Sequence, residues 1–168
     1  MSTAKKKGAG RALVTGASGG IGEALAWRFA RGGHDLVVVA RSADKLDKLA
    51  AEIKQAHDVN VVPIAADLAK PGAAGRLAAT LKRKRLPIEI LVNNAGINWQ
   101  GHFSRIPSAA HQDLIALNVS ATTDMLSHFI PPMIERGHGR VRISHPRRRF
   151  CRCRSWPPTP QARRIYCR

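Results

Sequence analysis

Short apolar runs alternate along this chain with segments in which apolar residues recur at helical spacing. A short apolar run bounded by turn residues is typical of a strand buried in a parallel sheet. Such runs predict strands at residues 11–15, 36–40, 59–65, 88–92 and, as the beginning of a fifth strand, 140–143. The segments with helical spacing predict helices from residue 21 to the glycines at 32 and 33, from Ser42 as N-cap to about Ala56, and over residues 72–84.

The last helical region is also the longest. It opens at Pro107 and is predicted to reach about Arg136, with a bend near Asn118 and with Pro131 and Pro132 ending or distorting it. Strands that alternate with helices of this length predict an α/β fold with a doubly wound parallel sheet of the Rossmann type. We expect this domain to cover residues 11–143 and its sheet to be incomplete, with about five strands.

A glycine-rich turn follows the first strand, in the segment T-G-A-S-G-G-I-G at residues 15–22. Gly16, Gly20 and Gly22 lie where the backbone must bend tightly and can approach a ligand closely. The helix that begins near Gly20 offers free N–H groups and the positive end of its dipole to a pyrophosphate. Glycines at such turns also occur for packing alone, so the turn predicts dinucleotide binding and leaves a structural role open.

The spacing of this turn differs from the usual G-x-G-x-x-G and resembles the cofactor turn of the short-chain dehydrogenase/reductase family. Further motifs resemble that family in order: Asp67 after the third strand, the N-N-A-G motif of residues 93–96 after the fourth, and Asn118 in the long helix. The resemblance covers residues 11–143. It implies an NAD(P)(H)-dependent oxidoreductase acting on a small-molecule carbonyl or alcohol substrate.

The resemblance also implies which residues serve the cofactor and the reaction. Asp67 would contact the adenine, and Asn118 would hold a proton-relay water as the helix member of the family's catalytic tetrad. The implied cofactor-binding residues are Gly16, Ser18, Gly20, Ile21, Gly22, Arg41, Asp67, Leu68, Asn94, Ala95 and Gly96. Three positions have a plainer alternative: Asp67 as a turn former, Asn118 as a helix-bend residue bonded to backbone, and Asn93 as a brace between strands.

The choice of cofactor depends on Arg41 at the end of the second strand. A carboxylate there would bind the ribose hydroxyls and repel a 2′-phosphate, whereas a guanidinium can bind that phosphate through two hydrogen bonds. Arg41 therefore favours NADP over NAD. Gly19 argues in the other direction, because relatives that prefer NADP often carry a basic residue at that position.

The catalytic segment that the family requires is missing from the expected place. Its chemistry needs a Tyr-x-x-x-Lys pair after the fifth strand and a serine about 13 residues earlier; the lysine lowers the pKa of the tyrosine so that it can exchange a proton with the substrate. The single tyrosine here is Tyr166, and neither Ser144 nor Ser155 has the expected context. The chain is therefore expected to be catalytically inactive, with Asn118 as the remaining tetrad residue.

The composition changes at about the same point. Residues 136–168 carry 11 of the 28 Lys and Arg residues, all of them Arg, together with all 3 Cys and no acidic residue. If the possible codons of this segment are read from one nucleotide earlier, the triplet that spans residues 158 and 159 can encode tyrosine. The triplet that spans residues 162 and 163 can encode lysine, which gives the two residues the family's spacing. We therefore interpret residues 144–168 as an out-of-frame, disordered tail. A selected arm that binds nucleic acid through phosphates, or a product without function, remains an alternative.

The charge distribution and the composition limit the kinds of partner that we expect for this chain. Most of the net charge of +17 lies in residues 136–168, since residues 1–135 hold 17 Lys and Arg against 11 Asp and Glu. No specific nucleic-acid partner is therefore expected, and residues 1–10 are expected to be a flexible basic terminus. The cysteines match no zinc pattern, and no apolar stretch is long enough for a membrane span or a secretory signal. We expect a cytoplasmic protein in which the family's oligomeric assembly is lost.

Overall fold

A computed structural model describes residues 10–144 of the chain. Strands and helices alternate through these residues: β1 Arg11–Thr15, α1 Gly20–Arg31, β2 Asp35–Ala40, α2 Ala43–Ala56, β3 Val61–Ala65, α3 Ala73–Arg83, β4 Ile90–Asn93, α4 Ser108–Ile115, α5 Thr122–Glu135 and β5 Arg140–Ile143. A short 3₁₀ turn, Phe103–Arg105, precedes α4, and a π-helical segment, Ala116–Ala121, joins α4 to α5.

The five strands form one parallel sheet in the order β3-β2-β1-β4-β5. Val14 of β1 lies between Val38 of β2 and Val92 of β4. The chain winds outward from β1 in one direction through β2 and β3, and then crosses back to β4 and β5. This order confirms the doubly wound α/β prediction and opens a crevice between the carboxyl ends of β1 and β4.

Two apolar layers cover the sheet, one on each face. Leu46 and Ile53 of α2 pack with Val14 on the first face, together with small residues of α1. Leu77 of α3 and Met125 of α5 pack with other strand residues on the second. The central strands are buried on both faces, which is why they are continuous apolar runs and do not alternate between apolar and polar residues.

Two predicted strand boundaries differ from those observed. Val59 and Ile88 are buried, yet they precede the hydrogen-bonded ladders of β3 and β4, which begin at Val61 and Ile90. Their apolar side chains contribute to the core without taking part in strand pairing. An apolar run in the sequence indicates buried residues, and buried residues continue beyond the hydrogen-bonded part of a strand.

The long helix runs from Ser108 to Glu135 through the π-helical segment. The predicted bend near Asn118 coincides with that segment, where one extra residue enters the turn. Of the two predicted effects of Pro131 and Pro132, ending or distorting the helix, the first does not occur, and the helix reaches Glu135, close to the predicted Arg136. Both prolines are exposed, as are Ser127 and His128, whose carbonyl groups lose their helical partners. Solvent can bond those carbonyls, so the helix tolerates the pair.

β5 is an edge strand with all four residues exposed. It pairs with β4, and within residues 10–144 no helix packs against it. None of the helices in this range is long and apolar enough to cross a membrane. Most of the predicted basic terminus and tail lies outside the described residues. Tyr166 and the positions whose codons suggest the alternative reading frame are among the residues outside this range.

Candidate functional site

The turn after β1 uses its glycines in two different ways. Gly16 has φ +67°, and a Cβ there would lie 2.9 Å from the Cα of Ala95. A Cβ on Gly22 would overlap the carbonyl oxygen of Gly16. These two glycines are required by packing against β4 and within the turn. A Cβ on Gly19 or Gly20 would meet nothing within 4 Å, so these two face open space.

The N-terminus of α1 borders that open space. The helix begins at Gly20, and the N–H groups of its first turn have no partner earlier in the helix. Ser18 and Ile21 line the same space, and the Ile21 side chain is 56% exposed. Free amides at the positive end of a 12-residue helix suit an anionic group such as a pyrophosphate.

Thr15 holds the ends of β1 and β4 together, a role that the sequence reading missed. Its hydroxyl is buried, accepts the N–H groups of Asn94 and Ala95 at 2.9 Å each and donates to the carbonyl oxygen of Val92 at 3.3 Å. The Asn94 side chain donates in turn to the carbonyl oxygen of Thr15 at 3.1 Å. A lone hydroxyl at the end of a buried apolar run was the signal available in the sequence.

Asn93 makes a different brace from the one predicted. It is buried, and its side-chain amide donates to the carbonyl oxygen of Thr122 at 3.4 Å. It therefore joins β4 to the start of α5, not strand to strand. Asn94 provides the contact between strands, because its amide reaches across to the β1 turn.

Asn118 lies in the π-helical segment and bonds to the loop after β4. Its Oδ1 accepts the N–H of Ile97 at 2.9 Å, and its Nδ2 donates to the carbonyl oxygen of Ile97 at 2.8 Å. Both ends of the amide are thus occupied by one backbone unit. These contacts match the helix-bend alternative, and the proton-relay role of Asn118 stays a prediction.

Asp67 and Leu68 follow β3 at the far side of the crevice. Asp67 Oδ1 accepts the N–H of Ala69 at 3.1 Å, which closes a local turn of the kind that Asp favours. Leu68 is buried beneath it. The turn-forming alternative for Asp67 is therefore observed. Contact with an adenine, which needs the other carboxylate oxygen, stays a prediction.

Arg41 and Ser42 follow β2 and are both exposed. Within residues 10–144 the Arg41 guanidinium makes no hydrogen bond or ion pair, so its donors are available to a ligand. Ser42 occupies the predicted N-cap position of α2, but its hydroxyl makes no capping hydrogen bond. The sequence reading assigned Ser42 to the helix cap and missed it as a possible ligand contact beside Arg41.

A cleft of about 730 Å³ joins these groups along the carboxyl ends of the strands. Nine of the predicted cofactor-binding residues line it: Gly16, Ser18, Ile21, Arg41, Asp67, Leu68, Asn94, Ala95 and Gly96. Gly20, Gly22 and Asn118 are not among its lining residues. Ile97, Trp99, Asp113, Leu117 and Ser144 also line the cleft and were not predicted as site residues.

Comparison with known proteins matches this arrangement to a family. The sequence model of the short chain dehydrogenase family matches residues 10–143. The chain belongs to this family. Its members among the similar proteins include the NADPH-dependent pterin aldehyde reductase of Arabidopsis thaliana, 34% identical over 128 residues that cover 76% of this chain and 52% of the relative. The human very-long-chain 3-oxoacyl-CoA reductase is 33% identical over 134 residues, which cover 77% and 42%.

Solved structures agree with the assignment. The short-chain dehydrogenase from Sphingobium yanoikuyae in complex with NADPH superposes with a TM-score of 0.74 at 38% identity, covering 79% of this chain and 52% of that one. L-sorbose reductase from Gluconobacter frateurii, complexed with NADPH and L-sorbose, gives 0.74 at 32% identity over 79% and 51%. The chain thus spans about half the length of the relatives that it matches.

Proposed function

We propose that residues 11–143 bind NADP(H) in this cleft, as the nucleotide-binding part of an oxidoreductase for small carbonyl or alcohol substrates. The proposal rests on one observation: three features lie together in the cleft where the chain crosses over between β1 and β4. These are the open backbone at Gly19, the free N-terminus of α1, and the Arg41 guanidinium, which makes no hydrogen bond or ion pair within residues 10–144. The first two suit the pyrophosphate of a dinucleotide, and the guanidinium suits a 2′-phosphate.

The end of the cleft at β2 supports NADP over NAD. Arg41 can bind a 2′-phosphate through two donors, and the free hydroxyl of Ser42 offers a third. No acidic residue precedes or follows this pair to bind a ribose diol, although Asp44 lies in the first turn of α2. Among relatives of known structure, those from Sphingobium and Gluconobacter are described as complexes with NADPH.

The remaining assignments follow the cleft in order. The first-turn amides of α1, with Ser18 and Ile21 beside them, hold the pyrophosphate. Asp67 and Leu68 bind the adenine at the β3 end, and residues 94–96 border the ribose on the nicotinamide side. When bound, NADP(H) supplies the hydride that is exchanged with a substrate carbon. The protein's own residues hold the cofactor in place and keep one face of it open toward β5.

We further propose that a chain of these 168 residues does not turn over substrate. The reaction needs a group that gives or takes a proton at the substrate oxygen. The amide of Asn118 cannot do this, and the sequence contains no Tyr-x-x-x-Lys pair. The proposed function is therefore cofactor binding by a dehydrogenase-type domain without the proton-transfer step.

Titration calorimetry with NADPH and NADH tests the cofactor assignment. Arg41→Asp should weaken NADPH binding by about tenfold or more, because it removes a charge-assisted contact and adds a repulsive charge. NADH binding should change little, so the preference should reverse. Arg31→Asp makes the same change of charge at the opposite end of α1 and should leave the ratio unchanged. Equal loss of NADPH binding in both variants would mean that only the overall charge attracts the cofactor.

A further inference from the structure

The cleft ends on the β5 side in side chains that the cofactor assignments leave unused. Trp99 follows β4, Asp113 lies in α4, and Ser144 follows β5 with its N–H bonded to the carbonyl oxygen of Asn93 at 2.8 Å. Leu117 adds an apolar side chain to the same lining. The Trp99 side chain is 50% exposed although it belongs to a residue type that is usually well buried.

The order of the strands determines what must lie against this group. If Arg41 binds the 2′-phosphate and α1 binds the pyrophosphate, the cofactor crosses the sheet from β3 and β2 toward β4 and β5. Neighbouring strands are roughly 4.8 Å apart, so the outer strands of the sheet are separated by roughly 19 Å. The reactive end of the cofactor, and a substrate beside it, then lie next to Trp99 and Asp113. This step rests on the proposed function.

The side chains at this end have a definite chemical character. The indole of Trp99 offers a wide, flat apolar face on which a planar group can stack. Asp113 is exposed. Among the residues from 10 to 144 that line this end of the cleft, it is the one with a charge, because the other charged lining residues, Arg41 and Asp67, belong to the opposite end. A carboxylate here attracts cations and repels anions that approach the reacting carbon.

We propose that Trp99 and Asp113 select the substrate class: a neutral carbonyl compound or alcohol whose planar apolar substituent stacks on Trp99. Substrates that carry a carboxylate or phosphate are disfavoured by Asp113. Trp99 provides the attractive contact and Asp113 the discrimination, so the two residues make separable contributions that can be measured one at a time.

The test measures ternary binding, with NADP⁺ as cofactor and a ketone as ligand, since these two cannot react with each other. Trp27→Phe and Trp156→Phe leave Trp99 as the only one of the 3 tryptophans. Calorimetry first establishes saturation with NADP⁺. Methyl 4-acetylbenzoate, which is neutral, and 4-acetylbenzoate, which is anionic and otherwise similar, are then titrated while Trp99 emission is followed.

We expect the ester to quench Trp99 and to bind about five- to tenfold more tightly than the acid, as one partly screened charge repulsion allows. Asp113→Asn should bring the acid within about twofold of the ester and leave the ester unchanged. Trp99→Phe, with Trp27 kept, should weaken the ester about threefold by calorimetry and remove the quenching. Trp27 would not report the ligand, because it lies in α1 with its ring against His57 and does not line the cleft.

Two results separate this inference from the function on which it rests. If NADP⁺ binds but the ester leaves Trp99 emission unchanged, or if Asp113→Asn shifts ester and acid equally, the substrate assignment is wrong and the cofactor assignment stands. If NADP⁺ itself does not bind, both are overturned.

Discussion

The hydroxyl of Thr15 carries three hydrogen bonds in a position that water does not reach, with the residue 1% exposed. Two of the three come from backbone N–H groups of the loop after β4. Because buried donors without an acceptor are costly, this one oxygen determines how that loop sits beside the glycine turn. The width of the cleft at β1 and β4 therefore depends on a residue that is not expected to touch the cofactor.

Replacing Thr15 by valine keeps the shape of the side chain and removes the acceptor. We expect Thr15→Val to lower the free energy of unfolding by about 2 to 4 kcal/mol, since the N–H groups of Asn94 and Ala95 lose their partner. Urea denaturation measures the loss. Thr15→Ser keeps the hydroxyl and should cost clearly less. A valine variant as stable as the wild type would show that water or a shifted loop satisfies these groups.

The family resemblance places Gly19 where relatives that prefer NADP often carry a basic residue. Its φ of 167° is extended backbone that any residue can adopt, and a Cβ there meets nothing within 4 Å. Gly19→Arg should therefore fold normally and add a second cation near Arg41. We expect NADPH affinity to rise about three- to tenfold and NADH affinity to change less. Gly19→Gln is the control for side-chain bulk. An equal rise for both cofactors would place the new charge at the pyrophosphate.

At the scale of elements, the π-helical segment allows one helix to serve two purposes. Its extra residue turns Asn118 toward Ile97, while α5 beyond it still packs Met125 and Phe129 on the sheet. A regular helix would rotate one of these faces away. The Asn118 amide therefore joins the long helix to the loop that borders the cleft, and Asn93 joins β4 to the same helix at Thr122.

Removing this amide should loosen the loop without unfolding the helix. We expect Asn118→Ala to cost about 1 to 3 kcal/mol of stability, because the N–H and carbonyl of Ile97 lose their partners in a partly buried position. Hydrogen exchange should quicken in the loop after β4. Thr123→Ala is the matched control, since that hydroxyl bonds only to Val119 on the exposed side of the same helix. Similar losses in the two variants would make Asn118 an ordinary helix residue.

At the scale of the whole molecule, the described residues form a nucleotide cleft, whereas the sequence contains no Tyr-x-x-x-Lys pair. The sheet positions Arg41, the α1 N-terminus and residues 94–96 along one edge, while β5 is exposed on its outer side. We therefore expect cofactor binding and catalysis to be separable in this chain. The first needs the described residues, and the second needs groups that the sequence does not contain at the family's spacing.

The expected consequence is binding without turnover. Purified chain should give no NADPH oxidation above background with methyl 4-acetylbenzoate, followed by absorbance at 340 nm, even where calorimetry shows NADPH bound. A general acid contributes about 10²- to 10⁴-fold to such a reaction, so its absence should leave no measurable rate. Tyr166→Phe should change nothing. Cofactor-dependent oxidation that Tyr166→Phe abolishes would show that the single tyrosine acts as the proton donor.

The local order of the chain was determined by the sequence itself. Apolar runs and helical periodicity predicted the strands, the helices and the doubly wound class, because the central strands are buried on both faces and the helices on one. The glycine turn was recognisable because tight turns and close backbone approach restrict residue type, and Asp67 and the N-N-A-G motif were recognisable through the resemblance to the family. The bend at Asn118 was also predictable, since an amide in the middle of a helix competes for backbone groups.

The contacts between distant segments could be identified only from the tertiary structure. The sequence could not show that Thr15 accepts from Asn94 and Ala95, since 79 and 80 positions separate the partners. Nor could it show that Asn93 bonds to α5, or that Trp99, Asp113 and Ser144 close one end of the cleft. The exposure of Pro131 and Pro132, which lets solvent reach the carbonyl groups of Ser127 and His128, was likewise visible only in the structure. Hydrophobic periodicity indicates which side of a helix or strand is buried. These contacts depend instead on which elements become neighbours, and the order of the strands in the sheet determines which elements are neighbours.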